Sequence, residues 1–277
     1  MLRTLRQPRW IWLTLAVVAV SLLFARLGLW QWHRAQAKWA SNDAVTTRAH
    51  ATPVPAQSLL STDRKPGKRD EWRQVSLTGT YDVAHTVLLR NSVEDGDRGY
   101  EVVVPLRPAS GPALLVDRGF ILANGTALAL PAVPPPPSGE VTVVGRVRPP
   151  DKGSLQLSEE TSTPTVKRLV PREIAQSQGV GPVYDAYVER SSETPTASGT
   201  PRELDLPSAD VGLNLAYFVQ WYAFILVAVG GWWALLRRDV RDAEAAAHAP
   251  DVAPGSEAPE HAAVDGDHGT VDVRRGG

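Results

Sequence analysis

The sequence contains no cysteine in 277 residues, and its 29 basic and 30 acidic side chains leave a formal charge of only −1. The missing cysteine excludes a disulfide framework, a thiolate metal site, a cysteine nucleophile and an iron–sulfur cluster. The missing charge excludes a chain-wide basic surface, so no nucleic-acid partner is expected. Hydrolase and transferase signals are missing too. There is no Gly-x-Ser-x-Gly, no phosphate-binding loop and no His-Glu-x-x-His. Of the six histidines, His248, His261 and His268 fall in a polar C-terminal tail. His33, His50 and His85 are too dispersed for a metal site. No carboxylate pair stands out for acid–base work. The expectation is a chain that is not an enzyme and holds no metal ion.

What is present is unevenly distributed. A mean hydropathy of −0.17 hides two apolar blocks. The first, residues 10–30, carries no charge from Trp10 to Ala25, and Arg26 sits close enough to its end to reach the interface. Twenty-one helical residues cover about 30 Å, one bilayer core. The second, residues 213–236, is uncharged throughout. Seven of the nine tryptophans lie in or beside these blocks, as an aromatic belt requires. A cleaved signal peptide is the rival reading of the first block, but the apolar stretch is long and no small-x-small site follows it.

Basic residues flank the blocks on their outer sides: Arg3, Arg6 and Arg9 in residues 1–9, and Arg237, Arg238 and Arg241 at the start of 237–277. By the positive-inside rule both termini are cytoplasmic, and residues 31–212 lie outside the plasma membrane. The charge splits accordingly. Residues 1–38 carry six bases and no acid, and residues 239–277 carry nine acids against three arginines. The last segment is too polar to bury a core, so 237–277 is expected to be disordered.

Between the blocks, residues 40–70 read as a connector, and short Val/Leu-rich runs bounded by turn residues follow. Strands are predicted at 74–79, 85–90, 100–106, 113–118, 141–147 and 183–188, with a hairpin at Pro108–Gly111. Pro134–Pro137 reads as a rigid spacer. A short helix is predicted over 171–178, with Pro171 at its first position and Gly179 at its end. Residues 190–210 lead back to the second block. The fold class is a membrane protein, two transmembrane α-helices enclosing one β-rich (α+β) extracytoplasmic domain.

The residues of most chemical interest stand where the blocks meet the outer surface. Trp30 and Arg34 are four apart on one helical face and can stack. With Gln31 and His33 they form either an interfacial anchor or a docking site for a planar or anionic group. Asn214, Tyr217, Gln220, Trp221 and Phe224 follow helical spacing. A buried amide such as Gln220 needs a partner, which helix packing or a flat hydrophobic ligand would supply. In the domain, Val116-Asp117-Arg118-Gly119-Phe120 ends a predicted strand. Arg118 and Gly119 are turn chemistry there, or else Arg118 is aimed at a carboxylate.

Together these pieces resemble the Surfeit locus protein 1 family of cytochrome c oxidase biogenesis factors. Leu27, Gly28, Trp30, Gln31 and Arg34 match its first-span signature. Arg118, Gly119 and Phe120 match an Arg-Gly-aromatic element, and Val144-Gly145-Arg146-Val147-Arg148 its Gly-x-x-Arg strand. Tyr217, Gln220, Trp221 and Tyr222 match the opening of its last span. The resemblance implies a non-enzymatic assembly factor or chaperone of the respiratory chain that helps heme A reach oxidase subunit I, with subunit I and heme A synthase as partners. The alternative is a membrane-anchored envelope scaffold or enzyme with no heme role. One departure matters. Many members place a histidine where this chain has Asn214, and an amide is a poor axial ligand for heme iron. His33 leaves the first span at a similar depth and would supply an imidazole if the two spans packed with it facing Asn214. The cofactor is otherwise open.

Overall fold

In the computed structural model, residues 5–124 and 130–248 are described. The elements are helix α1 (Pro8–Ala49), strand β1 (Val54–Pro55), helix α2 (Ala56–Leu59), β2 (Gln74–Tyr81), a 3-10 turn at Val83–His85, β3 (Val87–Glu94), β4 (Asp97–Arg107), β5 (Ala113–Leu122), β6 (Glu140–Arg148), β7 (Leu157–Ser158), β8 (Thr165–Val166), α3 (Pro171–Gln178), β9 (Val183–Thr194) and α4 (Gly212–His248). They fall into two compact units. One holds α1 up to Leu27 and α4 from Gln220, and the other holds Gly28–Val219.

In the first unit the two apolar helices run antiparallel. The Trp10 indole donates to Asp239 at 3.0 Å, and the Trp232 indole to the Thr14 hydroxyl at 3.1 Å. Phe24 packs on Trp221 and Phe224, with ring centroids 5.3 and 5.7 Å away. Both helices are long and apolar enough to cross a membrane, and only 6% of either apolar window is buried. A core helix of a soluble protein would be covered instead.

The second unit is built on a nine-stranded sheet, in the order β1-β2-β6-β9-β5-β4-β3-β8-β7. β2 pairs again with β4 through Thr80–Arg107 and Tyr81–Leu106, so β2, β6, β9, β5 and β4 close into a small barrel. The closure is partial. β3 occupies the edge of β4 from Asp97 to Val103, and β1 occupies that of β2 at Val75–Ser76.

Alternation along the strands builds two cores. Val75, Leu77, Val102, Val104, Leu114, Val116, Val141, Val143, Ala186 and Val188 fill the interior. The intervening Val103, Leu115 and Tyr187 face outward and are covered by Ile174 of α3, with Val166 and Leu169. Hence Ala113–Ile121 is buried at every position, as expected of a strand with both faces covered.

Most predicted elements are present, with three corrections. First, α1 continues through Ala49, so the connector expected over 40–70 is helical at its start and then supplies β1 and α2. Polar side chains there sit on an exposed helix face, which composition alone reads as a loop. Second, α4 runs on to His248, twelve residues past the apolar block and into the segment expected to be disordered. Ala, Arg and Glu, which make up most of this stretch, are good helix formers even without a core to bury in. The rest of that expectation, 249–277, lies outside the described residues. Third, strands β3, β5 and β9 run four to six residues beyond their predicted ends. The β3–β4 turn accordingly shrinks to Asp95-Gly96, both at positive φ, the backbone that a two-residue hairpin demands.

Candidate functional site

The helix ends within the second unit carry a polar knot. Asn214 is 7% exposed, and both ends of its amide are used. Its Nδ2 donates to Gln31 Oε1 at 2.7 Å, and its Oδ1 accepts from Lys38 Nζ at 2.7 Å. The same ammonium donates to the Asp210 carbonyl at 2.6 Å. One turn further along α1, Asn42 and Ala209 exchange two hydrogen bonds of 3.0 and 2.9 Å. Gln31, Ala35, Lys38 and Asn42 share one helical stripe, and Ala35 is fully covered. Beside the knot, Trp32 stacks on Phe218 at 5.5 Å and edge-on to Trp39 at 5.8 Å.

Of the residues expected here, the structure joins Gln31 to Asn214 and sets the Arg34 guanidinium 5.9 Å from the Trp30 ring. Gly28 is buried. His33 is exposed, about 200° round the helix from Gln31, and is not brought to Asn214. Tyr217 and Gln220 are exposed, and Gln220 has no hydrogen-bond partner among the described residues. Trp221 lies half-buried between Phe24 and Phe224, with its Nε1 unpaired. Lys38 and Asn42 complete the knot. The signal for them was the i+7 and i+11 spacing from Gln31, which shows only once α1 is continued past the apolar block.

The second polar centre is inside the barrel. Arg118 does not end a strand. It lies in the middle of β5, fully buried, with Nη2 3.2 Å from Glu193 Oε1 and Nη1 2.9 Å from the Pro134 carbonyl. Tyr81 donates to the other Glu193 oxygen at 2.9 Å, and the Arg118 guanidinium sits 5.5 Å from its ring. Burial, reinforced by the Glu193 carboxylate, pushes the Tyr81 phenol up. Of the two readings of Arg118-Gly119, the carboxylate partner is the one found.

Gly119 has φ +116°, and a Cβ there would meet the Arg202 carbonyl oxygen at 2.1 Å. The absent side chain lets Phe120 and Arg202 exchange backbone hydrogen bonds of 2.8 and 2.9 Å. These bonds tie the returning segment to β5. Arg190 secures it further, donating to the carbonyls of Arg118 and Pro201 at 2.9 and 2.8 Å.

A third set of charges surrounds Glu189. Its carboxylate lies 3.5 Å from Arg146 and 3.2 Å from Arg148. Burial pushes its carboxyl up to about 7, against the opposing pull of the two arginines. Asp117, wholly buried, is also pushed up by burial and by the neighbouring Glu101 carboxylate. Among the described residues no three His, Asp or Glu side chains gather as a metal site.

The sequence profile of the SURF1 family matches residues 18–226. The chain belongs to the SURF1 family. Uncharacterised SURF1-like proteins of Mycobacterium bovis and of two Mycobacterium tuberculosis strains are 30% identical over 255 residues, covering 90% of this chain and 92% of theirs. The SURF1 match takes in most of α1, the whole barrel and α4 as far as residue 226. The knot, the Arg118 centre and the Arg202 bridge therefore all lie within it. The residues of the knot do not fit an iron ligand set in this SURF1 chain. Asn214 is committed at both ends, and Lys38 and Gln31 offer no imidazole.

Proposed function

We propose that this chain is an integral-membrane assembly factor for heme–copper cytochrome c oxidase, a non-catalytic chaperone that assists delivery or insertion of heme A into subunit I. In this reading α1 and α4 cross the plasma membrane, both termini are cytoplasmic and the barrel stands outside. Two lipid-length helices with almost nothing covering their apolar windows support the crossing. The arginines flanking them support the orientation. Subunit I and heme A synthase are the proposed partners, and heme A is cargo rather than a resident group.

The observation that carries the reading is the family match, which runs from within α1, through the domain, into the start of α4. The test is a deletion strain whose membranes are examined by reduced-minus-oxidised spectroscopy. The expected result is a several-fold loss of a-type heme absorbance, restored by the wild-type chain. Unchanged absorbance in the deletion strain would overturn the proposal.

A further inference from the structure

Seven arginines stand on the strands. Arg107 pairs with Asp82, Arg118 with Glu193, and Arg146 and Arg148 with Glu189. Arg190 donates to two carbonyls. The guanidinium groups of Arg90 and Arg98 have neither a carboxylate nor a hydrogen-bond partner among the described residues, and the Arg90 Nε is out of contact with solvent as well. The two exceptions are neighbours.

The register explains how they come together. Arg90 lies opposite Tyr100, and Val93 opposite Arg98, with a bulge between Arg90 and Ser92. Asn91 is the extra residue, at φ 67°. Were Asn91 a regular strand residue rather than a bulge, Ser92, not Val93, would follow Arg90 on this face. With it, Arg90, Val93, Arg98 and Tyr100 all share one side of the hairpin. Tyr100 packs on the barrel's interior core, so that side continues the interior surface past the barrel's mouth. These four residues, with Asn91 and Ala123, line a cleft of ≈ 520 Å³. Small-molecule pockets span roughly 300–1,000 Å³ and favour the mouths of β-barrels.

The cleft holds two guanidinium groups that pair with no carboxylate among the described residues. Of the acids on the hairpin, Asp95 pairs with Arg202, Glu94 accepts from the Asp205 amide, Glu101 accepts from Ser92, and Asp97 makes no ion pair with either arginine. Its walls are also apolar. Val93 is 58% exposed beside the half-buried Tyr100.

We propose that this cleft binds an amphiphilic oxyanion, a phosphate or carboxylate carried on an apolar body. The forked guanidinium groups of Arg90 and Arg98 take the oxygens, and Val93 and Tyr100 take the body. Planar guanidinium forks suit such groups better than point charges do.

The experiment titrates the full chain in phosphatidylcholine nanodiscs with octyl phosphate, inorganic phosphate and octanol, followed by calorimetry. Saturable octyl phosphate binding is expected, weakened at least tenfold by Arg90→Gln or Arg98→Gln. Arg90→Lys should weaken it less. Unfolding midpoints confirm that the variants remain folded, and the variants also correct for partition into the bilayer. Equal affinity in wild type and both Gln variants overturns the proposal, as does the absence of saturable binding. Inorganic phosphate binding as tightly as the octyl ester overturns the apolar half of it. Repeating the titration with phosphatidylglycerol in the disc separates the sources. Competition assigns the oxyanion to a lipid headgroup, and undiminished binding assigns it to a soluble anion.

Discussion

Arg118 and Glu193 face each other inside the barrel, 3.2 Å apart, with neither side chain reaching solvent. Removing one partner strands the other charge. Arg118→Met is expected to cost about 3–5 kcal/mol, whereas a double Arg118→Met/Glu193→Gln variant should recover much of that loss. Denaturant unfolding followed by circular dichroism checks both. A double variant no more stable than the single one would sink this account.

Gly119→Ala tests the close approach at the Phe120–Arg202 bridge. The Cβ meets a backbone carbonyl that has no room to move without breaking that bridge. A loss of roughly 2–3 kcal/mol or more is expected. Limited proteolysis should show earlier cleavage within 196–211 than in wild type. An unchanged digestion pattern together with an unchanged midpoint would argue against the bridge.

Glu189 makes stability depend on pH in a stated direction. Its folded pKa, about 7, lies above the ordinary carboxylate value, so the folded state binds a proton that the unfolded chain releases. Stability is therefore greatest below about pH 4.5 for this group and falls as pH rises towards 7 and beyond. Glu189→Gln removes the titration. Its stability relative to wild type should improve by on the order of 2–3 kcal/mol between pH 5 and pH 8. A difference between the two proteins that stays flat with pH would refute the assignment.

At the knot, Asn214→Leu leaves Gln31 and Lys38 short of a partner and is expected to cost about 1–3 kcal/mol. Gln31→Leu and the double variant complete a cycle. Coupling of about 1 kcal/mol or more between the two positions is the expected outcome, read from thermal midpoints in detergent. Purely additive losses would mean that the contact contributes nothing of its own.

The β-rich character, the starts of β2, β5, β6 and β9 to within a residue and the whole of α3 could be read from runs of Val and Leu between turn residues, whereas β3 starts two residues later and β4 three residues earlier than predicted. Strand ends could not, for a physical reason visible at Asp117, Arg118, Glu189, Arg190 and Glu193. A charge inside a run of apolar residues signals the surface unless its partner is known, and these partners lie on other strands. Barrel closure rests on two residue pairs between β2 and β4, which no local pattern announces. At the helix ends, the Trp30–Arg34 pair followed from i,i+4 spacing alone. Gln31, and not His33, faces Asn214 because of the rotation of α1 about its axis, and that rotation is set by the stripe that continues to Lys38 and Asn42.

The Gln31–Asn214 hydrogen bond joins residues 183 positions apart. Bringing together the ends of a flexible chain of that length costs about 4–5 kcal/mol in entropy. A single amide pair cannot offset this, so the bond depends on the intervening strands and on the Lys38 and Asn42 contacts that close the same ends. A chain whose barrel has been damaged should therefore lose the knot as well, even with every residue of the knot intact.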